Sequence, residues 1–70
     1  MNGDELLRIL RKLAKARGVE LDAKPGRGDH VKVRFGDRAT VLPGRKEELR
    51  TGTFHSVLKD LGLSKEDLKG

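Results

Sequence analysis

The chain has 70 residues, the size of one domain, and 39% of them are charged while only 3% are aromatic. It has no cysteine, which excludes disulfide bonds and cysteine-ligated zinc, and no stretch has the length and apolarity of a membrane span. The formal net charge is +5, and residues 24–50 hold eight basic against four acidic side chains. Such a local basic excess is typical of polyanion-binding proteins, although a solvated basic surface explains it about as well. The first residues lack the pattern of a signal peptide, and we expect a cytoplasmic protein.

The first segment predicts an amphipathic helix. Asn2, with Glu5 three residues later, resembles a capping box. Apolar residues then recur at helical spacing on one side, and basic residues occupy the other. The apolar side consists of Leu6, Ile9, Leu10, Leu13 and Ala14, and the basic side of Arg8, Arg11, Lys12 and Lys15. Gly18 is expected to end the helix in a left-handed conformation.

Three segments with alternating apolar and polar residues follow, as expected for strands with one buried face. The first covers residues 19–24 and is broken by Pro25 and the two glycines after it. The second covers residues 30–35, and the third covers residues 38–42 and ends at Pro43-Gly44. The polar face of the second strand consists of His30, Lys32 and Arg34.

The loop between the second and third strands decides which residues of the third strand are buried. A three-residue loop, residues 36–38, pairs Val33 with Val41 and gives one apolar face. A two-residue loop, residues 36–37, pairs Val33 with Thr40 and mixes polar with apolar side chains. We therefore expect the three-residue loop, with Thr40 on the polar face of the sheet.

A second helix is predicted after a charged connection, residues 43–52. Its apolar residues, Phe54, Val57, Leu58 and Leu61, recur at helical spacing. Thr51 or Thr53 is expected to cap its start, and Gly62 is expected to end it, with Leu63 in the hydrophobic contact of a Schellman motif. Ser64 followed by Asp67 predicts one further short helical turn.

The predicted order is helix, three strands, helix, within a single domain covering residues 1–70. This order indicates an α+β fold in which an antiparallel meander carries both helices on its apolar face. The opposite face of the sheet is expected to be open.

The strongest candidate for chemistry is His30, which follows Gly26-Arg27-Gly28-Asp29 at the start of a strand. A histidine in that position can act as a general base or acid near neutral pH. It could take the proton from a ribose 2′-hydroxyl, while Lys32 and Arg34 on the same face stabilise charge on the phosphoryl oxygens. Asp29 points to the opposite face of the strand and is not expected to orient the imidazole. The alternative is that His30 is a polar residue at a strand edge without a catalytic role.

Other catalytic classes lack the residues that they need. The two histidines fall in separate elements, so no metal site is expected. There is no cysteine nucleophile, and the serines have no nucleophile-elbow context. His55 lies off the apolar side of the second helix and is expected to face solvent.

The sequence resembles the HicA toxin family over nearly its whole length. The resemblance rests on Gly28-Asp29-His30, where Asp29 stands in place of the family's usual Ser, on Pro43-Gly44, and on residues 52–63. That last stretch, GTFHSVLKDLGL, is similar to the family pattern Gly-Thr-x-x-Ser-Ile-Leu-Lys-x-x-Gly. The resemblance implies an α-β-β-β-α fold similar to a double-stranded-RNA-binding domain. It also implies a ribosome-independent mRNA-cleaving activity with His30 as the catalytic residue, and a HicB-like antitoxin that blocks the active face.

The expectation is therefore a toxin-type endoribonuclease that needs no metal or other cofactor, acts on mRNA, and is held inactive by an antitoxin protein. The residues expected to bind RNA are Lys24, Arg27, Gly28, Lys32, Arg34, Arg38 and Arg45. Two alternatives stay open. One is a non-catalytic RNA-binding module of the same fold, and the other is a degenerate HicA-like protein that serves only as an interaction partner.

Overall fold

A computed structural model describes residues 1–69 and confirms the predicted α+β class, with the meander between helices. The elements are α1 (Gly3–Arg17), β1 (Leu21–Pro25), β2 (Val31–Phe35), β3 (Arg38–Leu42), α2 (Thr51–Asp60) and α3 (Lys65–Leu68). None of the helices described within residues 1–69 has the length and apolarity needed to cross a membrane.

Helix α1 begins and ends as the sequence predicts. The Asn2 side chain accepts a hydrogen bond from the Glu5 N–H at 2.9 Å, and the Glu5 carboxylate accepts one from the Asn2 N–H at 3.2 Å. This reciprocal capping box satisfies two N–H groups that have no partner within the helix. Gly18 ends the helix with a φ of 69°. The buried residues of α1 include Leu7, which the predicted apolar side omitted, whereas Ile9 and Leu13 are only partly buried.

The strands form an antiparallel sheet in the order β1-β2-β3. Ala23 of β1 and Thr40 of β3 both pair with Val33, the central residue of β2. The expected three-residue hairpin loop is wrong, because Phe35 pairs with Arg38 across the two-residue turn Gly36-Asp37.

Gly36 explains the two-residue turn. Its φ is 63°, and the φ of Asp37, which follows it, is negative. These signs are those of a type II′ turn, whose twist matches that of the flanking strands. Thr40 therefore faces the core, where it is 7% exposed, and Val41 lies on the open face at 50%. The hydroxyl of Thr40 donates a hydrogen bond to Oδ2 of Asp60 on α2 at 2.9 Å, so the polar group in the core has a partner.

The core lies between one face of the sheet and the two longer helices. Leu6 and Leu10 of α1, Val33 of β2 and Leu42 of β3 are the largest fully buried side chains. Burying a side chain of this size contributes roughly 1.5–3 kcal/mol each. The opposite face of the sheet carries mostly polar and charged residues, together with Ala39 and the half-exposed Val41.

Helix α2 starts without a side-chain cap, so the expected capping by Thr51 or Thr53 is wrong. Arg50 is the N-cap residue and its carbonyl accepts the first helical bond, from the Phe54 N–H at 2.8 Å. Thr51 is already the first helical residue, and it is exposed. The predicted end of α2 is confirmed, since Gly62 has a φ of 72° and the Leu63 N–H donates to the Leu58 carbonyl at 2.8 Å, as in a Schellman motif.

The final helical turn, α3, is held by Asp67. Its Oδ2 accepts a hydrogen bond from the Ser64 N–H at 2.8 Å, which confirms the predicted start of this turn. Its Oδ1 lies 2.5 Å from Nη2 of Arg17, so an ion pair joins α3 to the end of α1. These two contacts, the bond from Ser64 first, hold the pKa of Asp67 below its ordinary value.

The connection between β3 and α2 is fixed to the start of α1. The Asp4 N–H donates to the Arg45 carbonyl at 2.8 Å, and the Leu49 N–H donates to the Met1 carbonyl at 2.8 Å. Gly3 approaches this connection so closely that a Cβ there would lie 2.9 Å from the Arg45 Cα. The charged connection therefore has a defined position relative to the sheet.

Candidate active site

The open face of the sheet carries a basic surface. Its outward side chains are Asp22 and Lys24 from β1, Lys32 and Arg34 from β2, and Ala39 and Val41 from β3. Lys24 lies opposite Lys32 in the β1–β2 register, and like charges in that position repel each other. Asp22 offsets this only in part, because its Oδ2 is 3.6 Å from Nζ of Lys24 and both side chains are exposed. A bound anion would relieve the repulsion between the two lysines.

His30 is exposed and lies immediately before β2, at the end of a tight turn formed by residues 27–30. The His30 N–H donates to the Arg27 carbonyl at 3.0 Å, which closes the turn. The Gly26 N–H donates to the His30 carbonyl at 2.7 Å, which joins the two ends of the loop between β1 and β2. The histidine is therefore held on a short hairpin loop at the rim of the open face.

The imidazole of His30 is oriented by a backbone carbonyl. Its Nδ1 lies 3.1 Å from the Arg27 carbonyl oxygen. A carbonyl can only accept, so Nδ1 carries the proton in this bond and Nε2 of the neutral ring has the free lone pair. As expected, Asp29 is not the orienting group, since among residues 1–69 the imidazole hydrogen bond goes to Arg27 alone.

Two shallow depressions meet at His30. The first, the sheet-side depression, is lined by Pro25, Gly26, Arg27, His30, Lys32 and Val41. The second, the loop-side depression, lies against the β3–α2 connection and is lined by His30 together with the charged residues Asp29, Arg45, Lys46 and Glu47. A ligand at His30 can thus contact the basic sheet on one side and a charged loop on the other.

The expected RNA-binding residues divide into three groups. Lys24, Lys32 and Arg34 lie together on the open face, where Arg34 also donates from Nε to the Gly36 carbonyl at 3.3 Å. Arg27, Gly28 and Arg45 line the depressions around His30.

Arg38 is separated from these groups. It pairs with the core-facing Phe35, and its Nε lies 2.9 Å from the position that a Cβ of Gly62 would occupy. The guanidinium therefore covers the end of α2, where a cation is favoured by the helix dipole. His55 is exposed on α2, which contributes no residue to either depression.

Two residues at the site, Lys46 and Glu47, were not predicted from the sequence. The sequence indicates only a charged connection there, and nothing in the local pattern indicates which way that connection folds. The contacts of Gly3 and Asp4 with residues 44 and 45 bring them beside His30. Within residues 1–69, no group of three or more His, Cys, Asp or Glu side chains is arranged to hold a metal ion.

The fold and site define a small α+β domain with a basic open sheet face and an exposed histidine at its rim. No known family model, curated protein or solved structure matches this chain. The likeness to HicA toxins rests on the three sequence motifs described above.

Proposed function

We propose that this chain is a HicA-like toxin, a cytoplasmic endoribonuclease that cleaves mRNA with His30 and requires no metal or other cofactor. The observation that carries the proposal is the position of His30. Its imidazole is exposed, its Nδ1 is engaged by the Arg27 carbonyl, and Lys32 lines the same depression. A base and a cation in one open, basic site are the minimum that RNA cleavage through the 2′-hydroxyl requires.

The chemistry follows from this pairing. The free nitrogen of the imidazole removes the proton of a ribose 2′-hydroxyl, and the 2′-oxygen attacks the adjacent phosphorus. A bond forms between the 2′-oxygen and phosphorus, while the bond from phosphorus to the 5′-oxygen breaks. The leaving 5′-oxygen takes up a proton from water, and the imidazolium of His30 returns its proton to solvent, so the products are a 2′,3′-cyclic phosphate and a 5′-hydroxyl.

Cations on both sides of His30 support this reaction. Lys32 in the sheet-side depression, and Arg45 and Lys46 in the loop-side depression, can stabilise the charge that develops on the phosphoryl oxygens. Lys24 and Arg34 extend the basic surface along the open face and give the rest of the RNA strand a binding track.

The test of this proposal is His30→Ala, with His55→Ala as the matched control. His30 is exposed and its side chain fills no cavity, so the variant should fold and melt near the parent temperature, within about 0.5 kcal/mol of stability. Loss of a general base or acid should lower the cleavage rate about 10²–10⁴-fold while RNA binding is kept. His55→Ala, altered on the exposed side of α2, should cleave as the parent does. A fully active His30→Ala protein would contradict the proposal.

A second candidate is a module of the same fold that binds RNA without cutting it. It is favoured by the carboxylates of Asp29 and Glu47, which line the loop-side depression and repel a phosphate placed beside His30. Binding along the open face does not need His30, so such a module keeps its affinity and never releases a cyclic phosphate. Gel analysis of a labelled RNA, with binding measured on the same samples, separates the two candidates.

The proposed toxin is neutralised by a HicB-like antitoxin, which we expect to be acidic and to cover the His30 side of the sheet. A basic open face gains most in association rate from a partner of opposite charge. In the complex, Lys32 and Arg34 should be protected from chemical modification, and growth arrest by the toxin should be relieved. Protection confined to the helical side of the domain would contradict this arrangement.

A further inference from the structure

We infer that the turn formed by residues 27–30 is a positioning element that fixes the tautomer of His30. It holds the proton on Nδ1, so that Nε2 is the nitrogen that accepts a proton. The tautomer is a property of the free protein. Its use in cleavage rests on the function proposed above.

The carbonyl of Arg27 is the group that holds the imidazole of His30. It accepts one hydrogen bond from the His30 N–H at 3.0 Å and a second from Nδ1 of the same residue at 3.1 Å. A carbonyl oxygen has two lone pairs, so both bonds can be made at once. The bond from the Gly26 N–H to the His30 carbonyl, at 2.7 Å, joins the loop ends and keeps the Arg27 carbonyl in place.

Gly28 makes the turn possible. Its φ is 58°, in the left-handed region that side chains of L-residues rarely adopt. A Cβ at this position would meet no heavy atom within 4 Å, so a substitution here changes the backbone preference and causes no clash. A substitution of Gly28 therefore loosens the turn without changing the side chain of Arg27 or His30.

The bond to the Arg27 carbonyl reverses the usual tautomer preference of a neutral histidine. A neutral histidine side chain without a partner favours the proton on Nε2, whereas the Arg27 carbonyl draws it to Nδ1. Cε1 separates Nε2 from Nδ1 in the ring, so the bond to Arg27 does not involve Nε2. The backbone thus occupies Nδ1 and leaves Nε2 as the proton-accepting nitrogen of the neutral ring.

Nitrogen NMR of the free protein tests the tautomer directly. At a pH where both imidazoles are neutral, His30 should show a protonated, pyrrole-type Nδ1 and an unprotonated Nε2. His55 is an internal reference, because it is exposed and among residues 1–69 no hydrogen bond to its ring is found. It should show the ordinary preference for the proton on Nε2. The same Nε2–H pattern at His30 as at His55 would overturn the inference.

Two variants of position 28 test the role of the turn. Because the chain has 70 residues, it can be made by chemical synthesis with either L-alanine or D-alanine at this position. D-alanine favours the positive φ, whereas L-alanine disfavours it by a factor of about 5–30 in population. Gly28→Ala should move His30 toward the Nε2–H tautomer and lower kcat more than it raises KM, whereas the D-alanine protein should keep the Nδ1–H tautomer of the parent.

The outcomes separate this inference from the proposed function. A parent protein with the Nδ1–H tautomer that cuts no RNA contradicts the function and leaves the tautomer assignment standing. A parent protein that cuts RNA but carries the proton on Nε2 contradicts the tautomer assignment alone. An L-alanine protein with an unchanged tautomer shows that the turn does not hold the ring.

Discussion

Replacing Gly3 by alanine should destabilise the protein, although alanine is normally the better helix residue. Gly3 is the first residue of α1, and an added Cβ would overlap the carbonyl oxygen of Gly44 and lie 2.9 Å from the Cα of Arg45. Both neighbours are backbone atoms, so the clash can be relieved only by moving the whole connection. That movement breaks the hydrogen bond from the Asp4 N–H to the Arg45 carbonyl.

The size of the effect is the sum of three contributions. Overpacking against fixed atoms costs about 1–3 kcal/mol, and the lost hydrogen bond costs about 1 kcal/mol. The gain from replacing glycine in a helix returns about 0.5–1 kcal/mol. The net loss is roughly 2 kcal/mol, which for a domain of this size lowers Tm by about 8–16 °C.

Gly52→Ala is the matched control, because Gly52 lies in the first turn of α2 and a Cβ there would meet no heavy atom within 4 Å. This variant should be more stable by about 0.5–1 kcal/mol, and its Tm should rise. Thermal unfolding followed by circular dichroism measures both proteins under the same conditions. A Gly3→Ala protein as stable as Gly52→Ala would refute the close approach between α1 and the connection.

Three further predictions concern binding, chemistry and acid stability. Replacing Lys32 and Arg34 together by alanine should weaken binding to all RNA sequences and flatten the dependence of affinity on salt. Titration at several salt concentrations measures both effects, and an unchanged slope would show that RNA binds elsewhere. Cleavage should continue in excess EDTA and leave a 2′,3′-cyclic phosphate, and a substrate with 2′-deoxyribose at the cut position should resist cleavage. Activity that is lost on chelation and restored by magnesium would contradict the mechanism. Because the folded-state pKa of Asp67 lies below its ordinary 3.8, this group stabilises the fold above that pH, and the contribution is lost as pH falls through the folded-state pKa. Asp67→Asn should therefore lower Tm at neutral pH and reduce the loss of Tm on acidification, and an Asn variant with the parent's acid profile would count against a lowered pKa at Asp67.

The helices and the strand order could be predicted because local chemistry decides them. Asn2 and Glu5 cap α1 within one turn, and Gly18 and Gly62 end helices in a conformation that glycine adopts without strain. Alternation in β2 also identifies the buried and exposed sides of that strand correctly. In each case the deciding atoms lie within a few residues of one another.

The hairpin register could not be predicted from the apolar pattern alone. That pattern favoured pairing Val33 with Val41, but the turn geometry of Gly36 selects Thr40 instead. The partner that makes a buried Thr40 acceptable is Asp60, which lies on another element. A favourable turn and a distant hydrogen bond together outweigh a uniform apolar face.

The candidate site was predicted only where local patterns decide the position of a residue. His30 and Lys32 follow strand alternation, and they line one depression as expected. Arg38 was misplaced with the register, since the two-residue turn directs it to the end of α2. The loop-side depression, which Lys46 lines, depends on a contact between α1 and a segment far along the chain. No local pattern encodes that contact.

The attachment of the β3–α2 connection to α1 bears on the order in which the molecule folds. Hydrogen bonds from Asp4 to Arg45 and from Leu49 to Met1 close a loop that contains the whole sheet. Closing so long a loop costs chain entropy before the contact gives anything in return, so these bonds should form after the β-hairpins. The basic surface on the open face of the sheet would then form earlier in folding than the loop-side depression beside His30. In the proposed function, the RNA-binding surface would therefore form before the site around His30 is complete.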